Sequence, residues 1–341
     1  MLELDGALGE GGGQILRTSL SLSLVTGKAF RLRNIRAGRS KPGLQPQHLM
    51  CVRAAAEVGQ ANVRGDGLGS TELIFEPGDV RPGRYTFVIR TAGATGLVLH
   101  TLYLPLAYRA GVPSELTLKG GTHVTASPCF HFLDGTWRAY MELLGLRIKL
   151  NMFRSGFYPR GGGVVDVVIQ PCPFLLGFNG QSITKPTKAS IVSVTASLPE
   201  HIRRRQSRRI EYRLLESGLK LSVEEEQWEG GPGTVVLVSL DTQPVPTVSF
   251  GLGALRKPAE NVADEAADQV LEYLAGEPAV DSHSADQLLL PLSLADGPSI
   301  FSTCSVSSHL TTNSSVIQRF VERKIEVSGD EGKPGIVRIH S

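Results

Sequence analysis

A chain of 341 residues has room for two domains, or for one large domain carrying an insertion, and its 41% apolar and 20% charged residues exclude a disordered or fibrous protein. The formal net charge of +2 says little about partners. Its distribution says more: from Met1 to Arg53 the cations Arg17, Lys28, Arg31, Arg33, Arg36, Arg39, Lys41 and Arg53 face only Glu3, Asp5 and Glu10, which suits an anionic ligand or a solvated basic face.

Cys51, Cys129, Cys172 and Cys304 show no CxxC spacing. This argues against a disulfide framework and a structural zinc site, and for reduced thiols in the cytoplasm. The first ten residues, MLELDGALGE, lack the basic start and apolar run of a signal peptide. The longest apolar stretch, residues 96–108, is broken by His100 and is too short to span a bilayer, so no membrane partner is expected.

In chain order, residues 11–27 (GGGQILRTSLSLSLVTG) read as a largely buried helix entered through glycines. A strand over 30–35, a loop over 36–43, a helix over 46–58 and strands over 61–64 and 71–75 follow. The same order returns with a helix over 93–111, a strand over 115–119, a loop over 120–128, a helix over 132–144 and strands over 147–152 and 164–169. A third copy starts at Ser284 with a helix, continues with a strand over 300–305 and places His309 in a loop before another helix, with strands over 324–327 and 336–340. Repetition of this kind implies an α/β fold (α+β in detail) of three units, each a sheet covering its own pair of helices.

The second and third copies lie farther apart than the first two, which leaves room for a small inserted α/β domain. We place units one and two and the start of unit three at 1–181, the insertion at 182–276, and the rest of unit three at 277–341. The insertion carries the basic run 201–209 (HIRRRQSRR) and the acidic Glu224, Glu225 and Glu226. That run reads as a solvated helix face or as an RNA-contacting patch.

The unusual polar residues gather at the loop ends of the copies, where a rigid scaffold commonly positions binding groups. Glu10-Gly11-Gly12-Gly13-Gln14 is a glycine-rich turn into a helix, open to anion binding or a plain tight turn; it lacks a Walker A lysine and spacing. Arg17, Arg36, Arg39, Gln47 and His48 form a candidate phosphate-holding cluster, since guanidinium forks bind phosphate oxygens bidentately, or ordinary surface charge. Residues 157–163 (FYPRGGG) read as a sharp turn before a strand. His309 falls at a strand-to-helix junction, with Thr311 or Thr312 expected to cap the helix. The positive helix end keeps such an imidazole neutral and nucleophilic, although a lone junction histidine also serves as a cap or surface residue.

The strings DGALGEGGGQILR (5–17), IRAGRSKPGLQPQHL (35–49), GFYPRGGGVV (156–165), SADQLLLP (284–291) and HLTTN (309–313) together resemble the RNA 3′-terminal phosphate cyclases. The resemblance covers the chain except the insertion, and it implies three repeats, each with a four-stranded sheet and two helices, together with a small inserted domain. It implies ATP as co-substrate, a divalent metal (Mg or Mn) and an RNA with a 3′-phosphate end as partner. It implies His309 as the nucleophile that takes AMP from ATP, passes it to the 3′-phosphate as an RNA-(3′)pp(5′)A anhydride, and so leads to a 2′,3′-cyclic phosphate. It also implies Glu10 as the metal carboxylate, Arg17, Arg36, Arg39, Gln47 and His48 on RNA or nucleotide phosphates, and His100, His283, Ser284, Ala285, Asp286 and Gln287 on the nucleotide. The chain departs from the family pattern at His100, His131, Ser155 and His283. Two other classes share related folds. A non-catalytic cyclase-like RNA-binding protein of ribosomal RNA processing lacks the nucleophilic histidine retained here, and an enolpyruvyl transferase has no use for HLTTN.

Overall fold

Leu2–Asp5 (β1) pairs in parallel with Phe30–Arg33 (β2), and a parallel pair needs a crossover, which Gln14–Thr26 (α1) supplies. Pro46–Val58 (α2) and the antiparallel strands Asn62–Arg64 (β3) and Leu73–Glu76 (β4) complete a sheet in the order β1-β2-β4-β3. The coordinates are a computed structural model that describes residues 1–90, 92–180, 184–276 and 278–341.

The wiring recurs with Arg84–Val88 (β5), Thr95–Arg109 (α3) and Ser114–Gly120 (β6). Its second helix runs through Phe130–Phe132 (α4), a π-helical turn over Leu133–Trp137 and Arg138–Leu143 (α5). Ile148–Arg154 (β7) and Gly163–Ile169 (β8) then close the order β5-β6-β8-β7.

Asn179–Gly180 (β9) opens a third unit. Before that unit resumes, the chain builds a separate sheet from Lys188–Ala196 (β10), Lys220–Trp228 (β11), Gly233–Leu240 (β12) and Thr247–Leu252 (β13), ordered β11-β10-β12-β13. The helices Glu200–Leu214 (α6) and Ala259–Gly276 (α7) belong to this segment. Ser282–Leu292 (α8), Ser299–Thr303 (β14), Ser308–Phe320 (α9), Ile325–Ser328 (β15) and Gly335–Ile339 (β16) finish the third unit, in the order β15-β16-β14-β9. The α/β class expected from the sequence is therefore the class observed.

Three local expectations are corrected. Each unit starts with a short strand (β1, β5 or β9) that the sequence pattern did not announce, because two to five residues carry too little periodicity. The third copy thus begins at β9 and not at Ser284. The third correction concerns His309, which stands inside the first turn of α9 and not in the loop before it. The helix cap is Ser307, whose hydroxyl accepts from Leu310 N at 3.1 Å; Thr311 and Thr312 lie within the helix. The expected junctions at 181–182 and at 277 fall outside the described residues.

The helices hold the units together. α1 is buried almost all round and packs against α2, α3 and α9. Two of its serines bond to backbone carbonyls, Ser19 Oγ to Ile15 O and Ser23 Oγ to Lys28 O, each at 2.7 Å, while the buried Ser21 Oγ has no partner among the described residues. The central strands β10 and β12 of the β10–β13 sheet are largely buried on both faces, while the edge strand β11 is not. Val194, Ala196, Val235 and Leu237 join the large core, while Ile191, Val236, Val238 and Leu240 pack with Ile210 of α6 and Val262 and Val270 of α7. Leu20 is fully buried, so Leu20→Ala is expected to cost about 2–5 kcal/mol, read from urea unfolding.

Unit two meets the β10–β13 segment through histidines that burial keeps neutral. His131 stacks on Trp228 of β11 with ring centroids 4.8 Å apart, and its Nδ1 lies 3.0 Å from His123 Nε2. Burial pushes His131 down to about 4, His48 and His100 down to about 3, and His123 well below its usual value. Unfolding releases these rings to titrate near their ordinary value of 6.5, so the unfolded chain binds more protons below it. The histidine contribution is expected to be level above about pH 6.5 and to fall as the pH drops toward 3–4, while Asp286, whose carboxyl is pushed up to about 7, acts in the opposite sense between about pH 4 and 7. Thermal melts across this range check the slope, and His131→Phe should flatten it.

Candidate functional site

Three helix N-termini supply the site: α1 starting at Gln14, α8 at Ser282 and α9 at Ser308. First-turn amides lack intrahelical partners and carry the positive end of the helix dipole, so they favour an anion. Some are used internally. Asp281 caps α8 by accepting from His283 N and Ser284 N, each at 2.9 Å, and from Ser284 Oγ at 2.6 Å.

His309 lies between units one and three. Its Nδ1 is 2.8 Å from Gln14 Oε1, and its Nε2 is 3.1 Å from Glu10 Oε2. The Glu10 side chain is only 6% exposed, and Arg39 Nη2 meets the same oxygen at 2.5 Å. Glu10 N donates to Thr312 Oγ1 of α9 at 3.4 Å. Burial holds the His309 ring below its usual pKa; Glu10 opposes that, and the charges of Arg17 and Arg39 reinforce it. The half-exposed ring is thus held by two groups and reachable from outside.

Behind Gln14 stands Asp286. Gln14 Nε2 donates to Asp286 Oδ2 at 2.9 Å, and burial raises that carboxyl to about 7 against the pull of Gln14 and Arg17. Asn313 Nδ2 donates to Asp286 O at 2.8 Å, while Asn313 Oδ1 accepts from Thr18 Oγ1 at 2.7 Å. These bonds tie α1, α8 and α9 into one network.

Arg17 extends from the first turn of α1, its guanidinium pKa lowered by burial and supported by the nearby Glu10 and Asp286. The His48 ring accepts from Gln45 N at its Nδ1, at 3.4 Å, and approaches Gly13 so closely that any Cβ there would strike both His48 and Arg17. Gly11 adopts φ +57°, a left-handed turn that returns the chain past Glu10. The glycine run is therefore required by geometry.

Not every predicted residue points into this cluster. Arg36 Nη1 is bound to the carbonyls of Lys41 (2.5 Å) and Gly43 (3.1 Å) in its own loop. Gln47 Oε1 accepts from Ala94 N at 3.0 Å, joining unit one to the start of α3. His100 lies against Trp137, with centroids 5.1 Å apart, and its Nε2 is buried without a partner among the described residues, as is Gln287 Oε1. His283 sits near Phe132 at 6.2 Å and near Phe250 at 6.3 Å. Ser284 and Ala285 are buried in the first turn of α8.

Sequence reasoning passed over Gln14, Thr18, Thr312 and Asn313 as site residues, although Gln14 ends the quoted glycine turn and Thr312 and Asn313 belong to HLTTN. It gave the insertion nothing beyond a basic run that could contact RNA, yet Phe250 of β13 flanks His283. Nothing local in the sequence marks Phe250. Among the described residues no group of three or more His, Cys, Asp or Glu gathers to hold a metal, and no helix is long and apolar enough to cross a membrane.

Comparison with known proteins bears on this geometry. The family described as RNA 3′-terminal phosphate cyclase matches residues 8–327. A protein of that name from Pseudomonas fluorescens is 43% identical over 329 residues, 96% of this chain and 94% of its own length. Ralstonia nicotianae has one 42% identical over 341 residues, 99% of this chain and 96% of its own, and Nostoc punctiforme one 41% identical over 336 residues, 96% of each. With the matched residues running from the strand-to-helix turn at Glu10 through His309 and beyond, the chain belongs to the RNA 3′-terminal phosphate cyclase family.

Proposed function

We propose that this protein converts an RNA 3′-terminal phosphate to a 2′,3′-cyclic phosphate at the expense of ATP, through a covalent AMP on His309. The supporting observation is the setting of one half-exposed imidazole between Gln14 and Glu10, with Arg17 and Arg39 beside it. With Gln14 Oε1 taking the Nδ1 proton, Nε2 is the nitrogen free to attack, and any proton on it has the Glu10 carboxylate as the nearest acceptor.

In the first step the Nε2 lone pair forms a bond to the α-phosphorus of ATP, and the bond to the bridging oxygen breaks with departure of pyrophosphate. An oxygen of the RNA 3′-phosphate then displaces His309 from that phosphorus, giving the RNA-(3′)pp(5′)A anhydride. Finally the ribose 2′-oxygen attacks the 3′-phosphorus, loses its proton and expels AMP. The last step explains the need for RNA, since DNA lacks the 2′-hydroxyl.

Arg39 and Arg17 are suited to the phosphate oxygens on which charge gathers, and the first turns of α1, α8 and α9 add their dipoles. His283, Phe250 and Phe132 form an apolar flank for the adenine beside α8. Glu10, its carboxylate nearly buried beside the His309 ring, would be the single protein ligand for a divalent ion, since Mg and similar ions commonly take one or two carboxylates plus substrate phosphates. The ion's chemistry would be to offset phosphate charge. We read residues 182–276 as an inserted domain that lends Phe250 to the nucleotide side, and the four buried free thiols as fitting a cytoplasmic protein.

His309→Ala is expected to keep the fold and to lower covalent labelling by α-labelled ATP by roughly three orders of magnitude or more. A labelled polypeptide that is acid-labile and base-stable checks the wild type; undiminished label on the variant would remove His309 as nucleophile. Arg39→Ala is expected to weaken cyclisation of a 3′-phosphorylated oligonucleotide roughly 10- to 100-fold while self-adenylylation changes less, and Arg36→Ala to act in the same direction by releasing its loop. Single-turnover assays of the two half-reactions separate these effects, and equal losses in both would put the arginines on ATP instead.

A further inference from the structure

A glutamine amide beside an imidazole can present either its oxygen or its nitrogen, and the choice decides which ring nitrogen keeps the proton. Here the choice is not free. Gln14 Nε2 meets Asp286 Oδ2 at 2.9 Å, and above pH 7, where the carboxyl is ionised and only accepts, the other end of the amide that faces His309 Nδ1 has to be Oε1.

We infer that Asp286 is a positioning residue for His309, acting through Gln14 to hold the ring in the tautomer with its proton on Nδ1. The inference rests on the reading of His309 as the nucleophile and differs from the nucleotide contact that family resemblance implies for Asp286.

The neighbours show why such a lock is needed. Glu10 Oε2, 3.1 Å from Nε2, is a charged acceptor and by itself would draw the single proton of a neutral ring onto Nε2, masking the lone pair. A freely rotating Gln14 would permit this by turning its NH2 toward Nδ1. The Asp286 carboxylate blocks that rotation. It is itself fixed: its backbone carbonyl accepts from Asn313 Nδ2, Asn313 is bonded to Thr18, and the residue lies in the first turns of α8 that Asp281 caps. The lock therefore runs across α9, α8 and α1, and no member of it after His309 needs to touch substrate. Gln14 is held in one orientation before ATP arrives.

The test uses the full chain with 15N-labelled histidine, free of nucleotide, at pH 8. The His309 signals are assigned by their loss in His309→Gln, and two-bond couplings report which nitrogen carries the proton. The wild type is expected to show the proton on Nδ1. Asp286→Leu, similar in volume but unable to accept, should move it to Nε2, slow self-adenylylation roughly 10- to 100-fold and change ATP affinity less than about twofold. Asp286→Asn keeps an accepting oxygen and should restore the wild-type tautomer.

An Nδ1 proton that persists in Asp286→Leu overturns the inference, as does a loss of ATP affinity with the tautomer unchanged, which would make Asp286 a nucleotide contact. A shifted tautomer with undiminished labelling overturns Asp286 as a positioning residue for the reaction, while label that survives in His309→Gln removes His309 as the nucleophile itself. If Asp286→Leu does not fold, Gln14→Met decides: it deletes the amide, and a proton still on Nδ1 would overturn the proposal in the same way.

Discussion

The hydrogen bond from His309 Nδ1 to Gln14 Oε1 joins residues 295 positions apart in the chain, and the candidate site exists only while that distance is closed. The bond itself contributes about 1 kcal/mol, far too little to hold two repeat units together. What closes the distance is apolar packing. α1 is buried on nearly every side and lies against α9, so the first turns of both helices come to the same place. Burial of Ile15, Leu16, Leu20, Leu310, Val316, Ile317 and Phe320 in one core supplies the larger energy. The polar contact then selects the register of what packing has brought near.

Two kinds of charge grouping coexist and have different meanings. On the outer helices, Arg205 pairs with Glu260 through both forks, Arg209 with Asp264, and Arg213 with Asp264 and Asp268. Part of the basic run is thus neutralised by a matching acidic face of α7, and exposed pairs of this sort add little stability each. Near His309 the carboxylate of Glu10 is almost wholly buried and Arg17 has its pKa lowered by burial. Holding such groups out of water is costly unless opposite charge stands nearby: Glu10 has Arg39 of its own unit and His309 of unit three, and Arg17 has Glu10 and, from unit three, Asp286. A site assembled this way has its charges in position before any phosphate arrives.

The repeated wiring gives each unit the same parallel pair and crossover, yet the units are not used alike. Unit one supplies Glu10, Gln14, Arg17 and Arg39, and unit three supplies His309, Asp286 and Asn313. Unit two supports them from the side through Ala94, which receives Gln47, and through the helix carrying Phe132. The β10–β13 segment is tied to unit two by more than packing: Val248 N donates to Thr136 Oγ1 at 2.8 Å, and Ser155 Oγ to Glu229 O at 2.7 Å. Thr136 stands in the π-helical turn, so that irregular stretch of helix is also a docking point.

Much of this was legible in the amino-acid sequence. Helix-period runs in 11–27, 46–58 and 93–111 announced the buried helices, and their recurrence announced the repeat. Glycines at 11–13 signalled a backbone that must pass close to other groups, and Arg39, His48 and His309 stood out as polar residues on loop or element ends. The sequence could not reveal that Gln14 faces His309, that Arg36 turns back on its own loop, or that Phe250 reaches His283. It also placed the α9 cap four or five residues late, because Ser307, Thr311 and Thr312 are all competent caps by type and only the backbone path selects Ser307. Periodicity is a property of neighbours along the chain and so determines which face of an element is buried. Which elements then share that buried space depends on how the units pack together, and for Gln14, Asp286 and His309 only the tertiary structure decided it.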